Sequence, residues 1–416
     1  MAELNVGAER VMAAEPKKQK KEQMAEEACL CLVTEKECLV IKLSNIKKQE
    51  DDDSKDWNCL PSLDLDYVLP LPEPELCPFE FDSKIYMGLS GQILTCPGVK
   101  SRCMKDLRPF PIYEFKFEEQ EQVIVPAESL DPVPLPFHSS FIANTPGSGD
   151  VFFHIYQRPR VRDSPLFYVL SSGDRVWKPL IPPSDFINLH MPLSMFVLHN
   201  NLFVSSFHGD PYLARFDTIE QSWTVEPAAS NNLSNFIHDW FIDNDDDDHC
   251  RVIYFPLISV TIPGMGSSNY TVCLMHEELE VPPKNPVVNV FAILVNHHNG
   301  RAALYQRLCK CFEGIQPAMY DGHRFNLVDL GNGKMCATLC GRQLGSTSLT
   351  LCISVFTLSV IKDFAALHLD SGDPPVERDF LQAEVHTKGV YNIKDCVRHA
   401  FVWPPTKGGR FQHITI

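Results

Sequence analysis

The chain reads as an all-β protein assembled from a repeated four-stranded antiparallel unit. Three observations predict this. Short apolar runs recur along most of the 416 residues, punctuated by Pro, Gly, Asn and Asp, as many short strands require. Long helical periodicity is nearly absent. One unit also occurs in two recognisable versions. In the clearer version Met195 begins an apolar strand, Asn200-Asn201 forms a turn, and Leu202-Phe203-Val204 is a second strand before a loop with Gly209. Leu213 to Phe216 is the third strand, Asp217 and Glu220 form a polar turn, and Trp223 opens the fourth. The other version, Phe167 to Leu180, repeats the strand, polar turn and Trp177. Trp177 and Trp223 lie 46 positions apart, within the roughly 40–50 residue periods of repeated sheet units.

Composition bounds the rest. The chain is 44% apolar, ample for a core, and its 32 prolines imply frequent turns. Radial repetition lets small sheets tile one large domain, so a single domain is expected over 27–416. Residues 1–26 are polar and rich in Lys and Glu without an apolar stripe, and are expected to be a disordered tail. Within them, the Lys17–Lys21 run has the composition of an import signal and also of an ordinary solvated Lys run.

A formal charge of −16, from 37 basic and 53 acidic residues, argues against sequence-independent nucleic-acid binding, which requires neutralised phosphates. It favours basic partners through steering. Met1 to Gly7 lacks the apolar core of a secretory signal, and no window reaches the ~18 apolar residues of a membrane span. The nearest approach, Ser348 to Ile361, is broken by Ser and Thr and reads as two strands. The 15 cysteines are then expected as buried thiols in the cytoplasm or nucleus.

Along the chain, Cys29–Val33 and Cys38–Leu43 form a hairpin around Glu35-Lys36. Leu60 to Pro78 is Pro-laden without a regular period and reads as a segment extended over the surface or along a sheet edge. Lys84–Gly91, Pro111–Phe117 and Val123–Val125 suit the second, third and fourth strands of a unit. The clearer units follow at 138–182 and 190–228. Phe236–Phe241 and Cys250–Phe255 flank the Asp-rich turn 243–248. Tyr270–Met275, Val287–Val295, Ala302–Cys311, Phe325–Leu330, Lys334–Cys340 and Leu349–Ile361 are further strands, with Asn332-Gly333 a two-residue hairpin turn. Gly389–Ile393 and Arg398–Trp403 read as a last pair. Long loops are expected at 54–80, 126–150, 226–248 and 276–288.

The order of strands, turns, Gly and Trp in these units resembles a kelch repeat. Over 84–125, 165–228 and 325–361, about a third of the chain, it is similar to plant kelch-like proteins of the F-box/kelch type. The usual double glycine is replaced by Ser205-Ser206, and Gly88 and Gly341 stand singly in the other copies. No F-box is evident: Leu60-Pro61 and Leu69 to Pro72 sit in a Pro-broken context that cannot form a helix bundle. The resemblance implies a kelch-like β-propeller whose blades are four-stranded antiparallel sheets; six blades fit the inventory of strands best, with five and seven as the alternatives. Strands from both chain ends would close the ring and remove exposed edges. Trp177, Trp223, Asp217, Gly209 and Gly341 become structural blade positions, the indoles filling the wedge between neighbouring sheets. The implied role is a non-catalytic adaptor or interaction module presenting the loops of one face to a protein partner.

No catalytic, cofactor-binding or metal-ligating set is predicted. The run Asp243–Asp248 lacks the Gly and Glu of an EF-hand loop and reads as a solvated hairpin tip. Cys29/Cys31, Cys309/Cys311 and Cys336/Cys340 lack zinc-knuckle spacing. His297-His298 read as exposed turn residues. There is no G-x-S-x-G elbow or Walker loop, and Gly331-Asn-Gly333 is a hairpin, not a dinucleotide fingerprint. The alternative expectation is a propeller-fold enzyme, glycoside hydrolase or oxidase-like, using loop carboxylates at the axial mouth.

Overall fold

A strand covered on both faces needs no polar alternation, and β1 (Cys29–Val33) is buried at all five positions. It pairs with β2 (Glu37–Lys42) as the predicted hairpin, Leu30 opposite Ile41 and Leu32 opposite Leu39. Thr34 closes the turn by accepting the N–H groups of Lys36 and Glu37 at 3.3 and 3.1 Å. The computed structural model describes residues 28–46, 60–74, 76–89, 111–118, 121–132, 140–144, 149–155, 167–181, 193–198, 201–206, 212–227, 251–252, 258–260, 262, 270–281, 284–296, 302–308, 319–343, 348–361, 376–404 and 412–413.

β3 (Tyr67–Pro70) adds to the outer side of β2. The second sheet runs in chain order through β4 (Leu76–Phe81), β5 (Lys84–Leu89), β6 (Tyr113–Glu118) and β7 (Glu121–Pro126). The third holds β8 (Ser140–Asn144), β9 (Val151–Ile155), β10 (Phe167–Leu170) and β11 (Lys178–Leu180). The fourth holds β12 (Leu193–Leu198), β13 (Asn201–Ser206), β14 (Tyr212–Asp217) and β15 (Ser222–Pro227). In the fifth, β16 (Arg251–Val252) and β17 (Ile258–Val260) both pair with β18 (Tyr270–Val281), followed by β19 (Lys284–Asn296) and β20 (Ala302–Arg307).

The sixth sheet starts with β21 (Met319–Gly331), β22 (Lys334–Gln343) and β23 (Leu349–Val360). The chain then crosses to the fifth sheet, where β24 (Val376–Glu377) lies parallel to β20. It returns as β25 (Leu381–Ile393), the fourth strand of the sixth sheet. β26 (His399–Trp403) pairs with β1 and completes the first sheet from the other end of the chain. β27 (Gln412–His413) pairs with β8.

Packing closes these six sheets into a ring. Leu30 and Leu32 meet Cys336, Leu351 and Ile353 of the sixth sheet. The alternate side chains of β1, Cys29, Cys31 and Val33, meet Leu76, Ile85 and Phe115 of the second. Phe79 and Tyr86 pack with Tyr168 and Leu170 of the third, and Phe152 and Phe167 with Leu202 and Phe216 of the fourth. β12 touches β17 across the next seam. Leu274 and Leu294 of the fifth sheet meet Leu327 and Leu339 of the sixth. The first strands β26, β4, β8, β12 and β17 touch in succession, and β21 touches β26. The chain is therefore an all-β, six-bladed propeller of antiparallel sheets.

Several sequence expectations need correction. Gly389–Ile393 and Arg398–Trp403 are not partners; they fall in β25 and β26, in adjacent sheets. Both strands border the same seam, and apolar pattern does not say which neighbour a strand joins. Ser348–Ile361 is one strand, because both faces of β23 are covered and its run stays buried through Phe356. The expected loop 276–288 is mostly strand, with Val281 opposite Lys284. The expected loops 54–80 and 126–150 contain β3, β4 and β8. Pro78 is accommodated because β4 has a partner on one side only.

Candidate functional site

The innermost strands converge on the propeller axis, the usual place for a site in this architecture. β4 is buried along its length except at Glu80. Cys77, Phe79 and Phe81 point toward the third sheet and Leu76 toward the first. Glu80 shares the parity of Leu76 and stands opposite Ile85. Burial pushes its carboxyl up to about 7. β27 adds a strand to the inner edge of β8, with Gln412 opposite Ala143 and His413 opposite Ile142, and touches β4. Backbone of the chain itself thus lies against the first strands of the second and third sheets.

Trp177 and Trp223 do not face the axis together. Trp177 sits just before β11, buried, with its ring edge-on to Phe79 of the preceding sheet at 6.3 Å. Trp223, in β15, lies 5.0 Å from Phe216 and 5.7 Å from Phe167 of the preceding sheet. Each indole therefore lies in the seam behind its own sheet. Trp403 of β26 packs on Phe115 of the second sheet at 5.6 Å; no repeat register singles it out in the sequence. Asp217 ends β14, and its Oδ1 accepts the N–H groups of Ile219 and Glu220 at 2.9 and 3.1 Å. This local bonding fixes the turn before Trp223. Gly341 lies buried in β22 opposite Thr350. Gly209 lies outside the described residues.

On one rim, Asp82 and Ser83 form a two-residue turn with φ of 48° and 61°. This left-handed pair matches the twist of the β4–β5 hairpin. Ser172 donates its hydroxyl to Asp82 Oδ1 at 2.7 Å and its N–H to Asp150 Oδ1 at 3.3 Å. Three turns of two sheets are tied by these contacts. At the outer side of the ring, Tyr113 donates to Glu73 at 3.3 Å. Burial and that carboxylate push the Tyr113 phenol up to about 12.

Among the described residues no group of three or more His, Cys, Asp or Glu side chains is placed to hold a metal ion. The Asp243–Asp248 run, His297-His298 and Lys17–Lys21 lie outside the described residues. Among the described residues, the axial arrangement can hold polypeptide by backbone pairing, and β4 carries a partly desolvated carboxyl on the side that faces the first sheet.

No protein-family model and no curated protein matches the chain. Among solved structures it is similar to a subtype N11 neuraminidase-like protein of A/flat-faced bat/Peru/033/2010, with 9% identity and a TM-score of 0.23. That match covers 51% of this chain and 48% of the other, about half of each. A likeness of that size carries neither residues nor activity across.

Proposed function

We propose that this chain is a non-catalytic, kelch-like protein-binding module. It takes an extended segment of a protein partner at the propeller axis, with the rim loops of one face as surrounding contacts. The observation that carries the reading is that polypeptide backbone already lies on the inner edge of β8. Strand addition binds through main-chain hydrogen bonds and leaves selectivity to alternate side chains. The kelch-like part rests on Trp177 and Trp223, which stand at the start of a fourth strand and reach back onto the preceding sheet. The partner is a protein, since the −16 charge disfavours phosphate backbones. Cytoplasm or nucleus is the proposed location, supported by cysteines serving as buried core thiols.

Binding to a displayed library of extended peptides tests this directly. A version ending at residue 404 is expected to capture peptides more tightly than the full chain, which fills the edge itself. Absence of peptide binding by both versions would sink the reading.

Glu80 favours a second reading, an enzyme of the glycoside hydrolase or oxidase-like kind. A carboxyl raised to about 7 is suited to general-acid work near neutral pH. Turnover of aryl glycosides that falls at least 100-fold in Glu80→Gln would select this reading over the first.

A further inference from the structure

Cys340 and Cys396 bring two thiols together where the sixth sheet meets the segment leading into β26, and one of the two is only half-buried. Cys340 lies on β22 and is buried; Cys396 lies in the connection from β25 to β26 and is half-buried. Their sulfur atoms are 3.6 Å apart. The Val397 N–H donates to Cys340 Sγ at 3.3 Å, a contact that favours negative charge on that sulfur. A disulfide requires about 2.05 Å between sulfurs. The two sulfurs are thus in van der Waals contact, about 1.6 Å from bonding distance.

We propose that Cys340 and Cys396 form a reversible redox site, which an oxidised low-molecular-weight disulfide converts into a covalent bridge across the seam between the sixth and first sheets. Cys396 is the entry point because it is the more exposed. Its thiolate attacks one sulfur of the oxidant, that S–S bond breaks, and the first small thiol leaves with a proton. Cys340 then attacks Cys396 Sγ, the mixed disulfide breaks, and the second small thiol leaves with the proton Cys340 gave up. Two cysteine thiols lose two electrons in all, and one small disulfide becomes two thiols. Cys340 does not attack first: the hydrogen bond to Cys396 and burial hold its thiol well above the ordinary range. A mixed disulfide on Cys396 removes the ionisable thiol whose charge opposes ionisation of Cys340, and leaves the Val397 N–H in place.

The bridge spans 56 positions and ties the sixth sheet to the segment that leads into β26. It therefore restrains the unfolded chain over a long loop and holds the ring closed.

The test is incubation of the full chain with oxidised glutathione, followed by digestion and mass spectrometry without reductant. The expected product is a peptide pair joined through Cys340 and Cys396, with a rise in Tm of about 4 °C that dithiothreitol reverses. Cys396→Ser is expected to abolish the joined pair and the rise. Cys340→Ser is expected to stop at a glutathione adduct on Cys396, and Cys352→Ser to behave as the unaltered chain. Cys396→Ser affects a half-buried side chain and serves even if Cys340→Ser fails to fold. A glutathione adduct persisting on Cys396 in the unaltered chain would overturn the proposal. So would a folded chain that shows no joined pair.

Discussion

Gln306 supplies the sharpest test of how the sheets are tied together. It lies on β20 of the fifth sheet and is 7% exposed. Its Oε1 accepts the N–H groups of Phe380 and Leu381 at 2.9 and 2.8 Å, and its Nε2 donates to the Leu381 carbonyl at 2.8 Å. One amide side chain thus acts as a length of strand, fastening the start of β25 to the neighbouring sheet. Gln306→Leu keeps the volume and removes all three bonds. Two buried N–H groups then lack their acceptor, at about 1–3 kcal/mol each, so the expected loss is about 4 kcal/mol. Urea unfolding reads the total, and amide exchange at Phe380 and Leu381 reads the location. Gln306→Glu separates bonding from packing. When protonated it accepts and donates as the amide does; when ionised it faces the Leu381 carbonyl with a buried charge. Its stability should therefore rise as pH falls. A Gln306→Leu chain within 1 kcal/mol of the unaltered one, with unchanged exchange at those two amides, would refute this reasoning.

Three further outcomes are expected. Trp177→Ala empties the seam against Phe79 and should lower stability by about 3–5 kcal/mol, seen as an earlier urea midpoint and lost near-UV circular dichroism. Gly389→Ala sets a Cβ 2.5 Å from the Tyr391 hydroxyl oxygen, so a loss of about 1–3 kcal/mol is expected. Adding Tyr391→Ala should make the pair of changes less than additive, which a double-mutant cycle measures. Glu80 has a folded-state value near 7 against an ordinary 4.5. The folded state therefore holds the proton longer, and stability should fall as pH rises from about 4.5 through 7. Urea midpoints across that range should show a smaller decline in Glu80→Gln.

Much of the architecture was legible in the residues. The β5, β6 and β7 strands match the predicted 84–125 unit, and Asn332-Gly333 turns the β21–β22 hairpin with φ of 55° and 75°. These features are local: a turn type or an apolar run announces itself within a few positions. Partner choice is not local. Arg398–Trp403 looks the same in sequence whether it joins residues nearby or Cys29–Val33 at the far end. Within 60–81, Pro70 and Pro78 interrupt the alternation, and β4 stays buried at successive positions from Leu76 to Phe79; the run 140–144 is only five residues long. At the axis, Glu80 and β27 carry no sequence signal, because no motif marks which strand edge faces inward. Trp177 and Trp223 were readable as repeat landmarks, whereas Trp403, in the closing strand, has no register to reveal it. Gln306 was unreadable for a related reason: its three partners lie 74 and 75 positions away.

The union of β26 with β1 has a consequence for how the protein is made. The segment Cys29–Val33 emerges from the ribosome early, yet its inner neighbour follows only some 370 residues later. Translation at about 5–20 residues per second leaves that greasy edge waiting for about 20–70 seconds. Throughout the delay the nascent protein is an open arc with a sticky end. Chaperone capture during synthesis, and strand exchange between neighbouring nascent chains, should therefore concentrate on this first sheet.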